Sequence, residues 1–144
     1  CHGRWQYDVD SETRDRIFPD EATVPARSFL YLTDGKAAVL ADENGIPTAT
    51  VNAFGKGKGI YLAGFEISNA NTRMLLNMML YGLGMDLDQN YLTDNANAEC
   101  AYYPVSGKMV VINNSGETIT TNVKTEKGRK TFTLEGFETQ IVDA

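Results

Sequence analysis

Few residues in this chain are suited to building a reactive centre. It has one histidine, two cysteines and one tryptophan in 144 residues. The histidine, His2, lies beside Cys1 at the very start, far from any Ser or Asp framework, so no Ser-His-Asp or Cys-His unit can be assembled around it. Cys1 and His2 lack further ligands of metal-site spacing. Cys1 and Cys100 are too few and too far apart for a disulfide framework or a zinc site, and they point to a reducing, cytoplasmic setting. No run of basic residues occurs and the net charge is −6, which argues against a nucleic-acid partner. No apolar run approaches the roughly 20 residues of a membrane helix. The chain begins Cys1-His2-Gly3-Arg4-Trp5 and reads as an internal portion of a longer polypeptide.

What is present is a soluble, globular composition, long enough to bury about 70% of the surface its unfolded form exposes. Residues 1–27 are polar and irregular, broken by Pro19 and Pro25, with a helical turn expected at Ser11–Ile17. Asp8, Asp10 and Glu12 alternate as in a calcium loop. An EF-hand needs Gly sixth and Glu twelfth, where this chain has Thr13 and Pro19, so an acidic surface segment is the better reading.

From Ser28 the pattern becomes strand and turn. Strands are expected at Ser28–Leu32, Ala37–Ala41, Thr48–Phe54 and Gly59–Gly64, joined by turns short enough to imply an antiparallel meander. The last is continuously apolar, which predicts a central strand buried on both faces. A helix follows, capped by Ser68 or Asn69 and ended by Gly82 and Gly84. Met74, Leu75, Met78 and Met79 form its expected core face, widened by Leu76, Leu80 and Leu83. Asn69, Arg73 and Asn77 form its polar stripe.

Asp86–Asn97 is a polar connector. Beyond it, strands are expected at Ala98–Pro104, Lys108–Asn113, Glu117–Lys124, Arg129–Leu134 and Phe137–Asp143. Ile119, Thr121 and Val123 should share an inward face with Phe132 and Leu134, joined by Phe137 and Ile141 or by their neighbours. The expected fold is α+β, with an incomplete α/β lobe over 1–86, a linker over 87–97 and a small antiparallel β-sandwich over 98–144.

Several groups invite a chemical reading. Gly55-Lys56-Gly57-Lys58-Gly59 suggests phosphate, but a Walker loop opens a helix and places Ser or Thr after its lysine. Here the glycines lead into a strand, so a hairpin with solvated lysines is preferred. Carboxylates at Asp34, Asp42, Glu43, Glu66, Asp86, Asp88 and Glu99 could supply acid–base pairs. Glu66 stands out because it follows a buried strand, where a charge near a helix start is the plainer explanation. Trp5, Tyr102 and Tyr103 could stack on sugar rings, although adjacent tyrosines on a strand face opposite ways and packing is favoured. Asn113-Asn114-Ser115 has the form of a glycosylation acceptor and reads as a turn. No residue is assigned a catalytic, cofactor-binding or metal-binding role, and no cofactor is expected.

Two blocks together resemble a known family. One is VNAFGKGKGIYLAGFEIS from Val51 followed by NTRMLLNMMLY from Asn71. The other is NAECAYYPVSGKMVVINN from Asn97. They are similar to the end of the central domain and the C-terminal domain of the lacto-N-biose, or 1,3-β-galactosyl-N-acetylhexosamine, phosphorylases. The resemblance runs from about Val24 to the end. It implies an amidotransferase-like central domain behind an N-terminal (β/α)₈ barrel in the parent. It implies phosphorolysis of a β-galactoside to α-galactose 1-phosphate with inversion and without a cofactor, and a structural, non-catalytic role for this portion. The implied partners are the parent's barrel and a second copy in a homodimer. A galactosyl-rhamnose phosphorylase portion, a β-galactosidase middle domain and a carbohydrate-binding β-module are the alternatives. The Tyr-Pro…Gly-Lys…Asn-Asn strand pair argues against the β-galactosidase reading.

Overall fold

The computed structural model describes residues 9–32 and 35–144. The chain forms two compact units divided after Leu87.

The first unit opens with α1 (Ser11–Ile17), whose N-cap is Asp10. The Asp10 carboxylate accepts from the Thr13 backbone N–H and the Thr13 hydroxyl, both at 2.8 Å, satisfying a helix-end donor. Three strands follow, β1 (Ala38–Glu43), β2 (Ile46–Phe54) and β3 (Gly57–Leu62), paired antiparallel in that order as a meander. Asn44 and Gly45 turn the first hairpin with φ of 53° and 79°, the double positive φ of a type I′ turn. Gly55 turns the second with φ of 58° and Lys56 stays outside the positive region, the type II′ pattern that favours Gly first.

Helix α2 (Asn69–Gly82) is capped by Ser68, whose Oγ accepts from the Asn71 N–H at 3.0 Å. Its other end is a Schellman motif. The Met85 N–H donates to the Leu80 carbonyl, the Gly84 N–H donates to that of Tyr81, and Gly84 takes φ of 71°. The core gathers Ile17 from α1, Leu40, Ala49 and Val51 from the sheet, and Met74 and Met78 from α2.

Two strand expectations fail in this unit. Ser28–Leu32 forms no strand. The residues at and just before its start meet residues 63–66, with Ser28 donating to the Ala63 carbonyl and Arg27 pairing with Glu66. Gly64 permits the approach, since a Cβ on it would stand 2.6 Å from the Pro25 carbonyl oxygen. The apolar stretch expected to be central and doubly buried is instead the edge strand β3, because the central place belongs to β2.

The second unit contains β4 (Ala98–Tyr103), β5 (Lys108–Asn113), β6 (Ile119–Thr125), β7 (Gly128–Leu134) and β8 (Thr139–Asp143). Strands β4, β5 and β8 make one antiparallel sheet in that order, and β6 and β7 make a hairpin. Alternation decides which face is buried. Met109 and Val111 of β5 meet Ile119, Val123, Phe132 and Leu134 of the hairpin in one core, the expected sandwich. Of the alternatives left open for the last strand, Val142 packs on this core while Phe137 and Ile141 are exposed. Residues 88–97 lie along β6. The Tyr91 N–H donates to the Lys124 carbonyl, and Thr93 bridges to Val123.

The class is thus α+β, with the strand-rich portion at the C-terminal end, as the patterning predicted.

Candidate functional site

Cys1, His2, Trp5, Asp8 and Asp34 lie outside the described residues. Most of the remaining candidates are tied to structural partners. Asp10 is a helix cap, and the hydrogen bonds from the Thr13 N–H and hydroxyl hold its carboxyl below the usual range. Asp42 accepts from the Gly45 N–H at 3.0 Å and so closes the first hairpin. Glu43 accepts from the Ala26 N–H at 3.2 Å. Glu66 lies ahead of the α2 cap and takes the Arg27 guanidinium at 2.5 Å on an exposed surface. Asp86 pairs with Arg16 at 2.8 Å, and Asp88 is shared by Arg129 at 2.8 Å and Lys124 at 3.2 Å. Glu99 is exposed on β4. Apart from Glu99, each of these carboxylates is bound up with a different neighbour, a pattern of surface stitching rather than of a cleft with paired acids.

The Gly-Lys hairpin gives its lysines different duties. Lys58 is not simply solvated. Its Nζ donates to the Tyr81 carbonyl at 3.4 Å and sits 4.8 Å from the centroid of the Tyr81 ring. A cation at the carboxyl end of α2 complements the helix dipole, so the side chain that most resembled a phosphate ligand serves the helix terminus.

The tyrosine pair divides as strand geometry requires. Tyr102 turns inward, its ring stacked on that of Tyr91 at 4.0 Å between centroids and 5° between planes. Tyr103 is 55% exposed on the opposite face. Asn113 is 1% exposed, and its amide is fully used. Its Nδ2 donates to the carbonyls of Glu117 at 2.7 Å and Glu135 at 2.8 Å, and its Oδ1 accepts from the Ser115 N–H at 2.9 Å. The glycosylation-like triplet is therefore a buried tie between β5 and the two turns beside it. Cys100 is half-buried on β4, and burial pushes its thiol up, away from the reactive thiolate form.

Three structural asparagine and aspartate centres were not singled out from the sequence. Asn71 accepts from the Thr23 N–H and donates to the Glu66 carbonyl, both at 2.8 Å. Asn77 belongs to the expected polar stripe yet is buried, and its Nδ2 donates to the last carbonyls of α1, on Arg16 at 3.1 Å and Ile17 at 3.2 Å. Asp94 accepts from the Asn122 N–H and side-chain amide, each at 2.7 Å, and from the Thr121 hydroxyl at 3.0 Å. Partial burial pushes the Asp94 carboxyl up, but these hydrogen bonds outweigh it and hold it below the usual range. For Asn77 the available signal was a polar residue inside an apolar repeat, and the partner of such a residue depends on long-range folding.

Among the described residues no group of three or more His, Cys, Asp or Glu could hold a metal ion. Among the described residues no helix is long and apolar enough to cross a membrane. An open apolar groove of about 550 Å³ lies between β3 and α2. Ile60 and Leu62 form one wall, and Leu75, Met79 and Leu83 the other. Its lining carries one ionisable side chain, that of Lys58, already engaged at the helix end.

The described residues thus form a two-unit α+β chain whose polar side chains stitch loops and helix ends together. The chain belongs to the lacto-N-biose phosphorylase family. Residues 2–88 match the lacto-N-biose phosphorylase central domain, and residues 91–142 match the C-terminal domain of the same family. Among curated relatives, a D-galactosyl-β-1→4-L-rhamnose phosphorylase of Lachnoclostridium phytofermentans is 43% identical over 143 residues, which is 98% of this chain and 19% of the relative. A 1,3-β-galactosyl-N-acetylhexosamine phosphorylase of the same organism is 31% identical over 102 residues, 70% of this chain and 14% of the relative. The corresponding enzyme of Bifidobacterium longum subsp. longum is 30% identical over 110 residues, 75% of this chain and 14% of the relative. The chain thus spans about a fifth or less of the length of these relatives.

Proposed function

We propose that this chain is a non-catalytic, structural portion of an inverting galactoside phosphorylase. In the parent reaction a phosphate oxygen attacks the anomeric carbon of a β-galactoside from the face opposite the leaving group. The glycosidic C–O bond breaks, an acid protonates the departing oxygen, and α-galactose 1-phosphate forms with the free acceptor sugar. The acid and the phosphate ligands belong to the parent's barrel, and this portion holds the central domain's end and the C-terminal sandwich against it. The observation that carries the reading is the ordered match to the central and C-terminal domains of one family over nearly the whole chain. Its support in the structure is that the candidate acids serve as caps, turn closures and surface ion pairs.

For the acceptor, the sequence resemblance suggested an N-acetylhexosamine. The higher identity to the galactosyl-rhamnose phosphorylase, 43% against 30–31%, favours L-rhamnose. The test is phosphorolysis by the full-length polypeptide, offered each disaccharide separately. Galactose 1-phosphate released from galactosyl-β-1,4-rhamnose in preference to galactosyl-β-1,3-N-acetylglucosamine supports the rhamnose reading, the reverse preference supports the hexosamine, and release from neither refutes the phosphorylase assignment.

A further inference from the structure

The residues of β3 are patterned for a burial they do not receive. Gly59-Ile60-Tyr61-Leu62-Ala63-Gly64 is apolar without alternation, the habit of a strand covered on both faces and flanked on both sides. Yet β3 ends its sheet and Tyr61 is 51% exposed. Its outer edge can be specified. The Ala63 N–H donates to the Thr48 carbonyl at 2.8 Å, which fixes the hydrogen-bonding side of the β2–β3 ladder. By antiparallel alternation the backbone groups of Lys58, Ile60 and Leu62 then point away from β2.

Helix α2 shows the same mismatch. It buries Asn71 and Asn77 on one side and leaves Leu75, Met79 and Leu83 uncovered on another, with Met79 53% and Leu83 75% exposed. These uncovered side chains form the wall of the groove that faces Ile60 and Leu62. Among the described residues no strand pairs with the outer edge of β3, and it borders the uncovered helix face. A strand laid beside β3 would pair with Lys58, Ile60 and Leu62 and rest its helix-side residues on Leu75, Met79 and Leu83.

We infer that this groove and edge receive a β-strand of the parent's own polypeptide, from the part of the central domain outside these 144 residues. The inference rests on the reading that the chain is a portion of a longer phosphorylase. A segment of the same polypeptide is preferred to a second copy because the matched relatives are roughly five to seven times longer than the aligned stretch. It is also preferred because the matched region is named a central domain, which has further chain before it. The added strand would make β3 an interior strand, the place its sequence suits.

Hydrogen exchange on the full-length polypeptide tests this, with phosphorolysis measured on the same sample. The expected result is that the amides of Lys58, Ile60 and Leu62 exchange at least roughly 100-fold slower than those of an unstructured peptide. That protection should hold on dilution. Rapid exchange at these three amides overturns the inference, whatever the activity. Protection that disappears on dilution also overturns it, because the occupant is then a second copy. Protection without phosphorolysis supports the added strand while refuting the proposed activity, so the two claims fail separately.

Discussion

The ring of Tyr91 lies on the ring of Tyr102 with centroids 4.0 Å apart and planes within 5°. One face of the Tyr102 ring is already occupied by a neighbour from residues 88–97. Tyr91 is held there by its N–H bond of 2.7 Å to the Lys124 carbonyl and adopts φ of 60° to do so. A carbohydrate-binding reading of the second unit must then rest on Tyr103. Tyr102→Ala is expected to destabilise the unit by about 2 kcal/mol through lost stacking and burial. Tyr103→Ala is expected to leave both stability and glycan-array signal unchanged. Glycan binding abolished by Tyr103→Ala would favour the binding-module alternative.

Asn113 joins β5 to the Glu117 and Glu135 carbonyls and to the Ser115 N–H. Replacing it by Leu removes all three partners at once and leaves buried groups unpaired. The expected loss is about 3 kcal/mol, read from the midpoint of chemical denaturation. Expression in a glycosylating host is expected to leave Asn113 unmodified in folded protein, since its amide nitrogen is engaged. Mass spectrometry of the tryptic peptide checks this.

Gly136 and Gly116 cross closely, and the two are not equivalent. A Cβ on Gly136 would run into the Gly116 backbone, whereas a Cβ on Gly116 would meet the Phe137 ring at an ordinary 3.6 Å. Gly136→Ala is therefore expected to cost about 2 kcal/mol or more. Gly116→Ala should stay within about 0.5 kcal/mol of the parent chain. Thermal melting of the two variants side by side tests the asymmetry, and equal losses would contradict the packing described.

Asp94 predicts an acid limb. Its carboxyl is held below its ordinary value of 3.8 by the Asn122 and Thr121 hydrogen bonds, against partial burial. The folded state thus favours the charged form. That stabilisation is complete above the unfolded value and is lost as pH falls through the lower folded value. Asp94→Asn should be less stable than the parent chain at neutral pH, and the gap should narrow below about pH 4. Urea denaturation at a series of pH values measures it. A gap independent of pH would show that the carboxylate's charge contributes nothing.

Much of the fold is legible because it rests on local signals. Asn44-Gly45 and Gly55-Lys56 specify their turns, Ser68 and Gly84 bound α2, and alternation in β6 places Ile119, Thr121 and Val123 inward. What escaped the sequence depends on distant partners. Ser28–Leu32 has strand composition, but it forms no strand, and its Ser28 hydroxyl donates instead to the Ala63 carbonyl. Asn77 has the spacing of a surface stripe, and only the approach of α1 makes it interior. The Met-rich face of α2 divides, with Met74 and Met78 in the core and Leu75 and Met79 outside it. Periodicity marks an apolar face without saying which neighbour covers each part of it. For the candidate site, the glycine pattern marked the hairpin, while the contact between Lys58 and the end of α2 joins residues 23 positions apart.

The central claim is that this portion carries no catalytic machinery of its own. The direct measurement is release of galactose 1-phosphate from galactosyl-β-1,4-rhamnose and inorganic phosphate by the purified 144-residue chain and, in parallel, by the full-length polypeptide. The account predicts turnover by the full-length polypeptide and none above background by the 144-residue chain. Turnover by the 144-residue chain alone would contradict it.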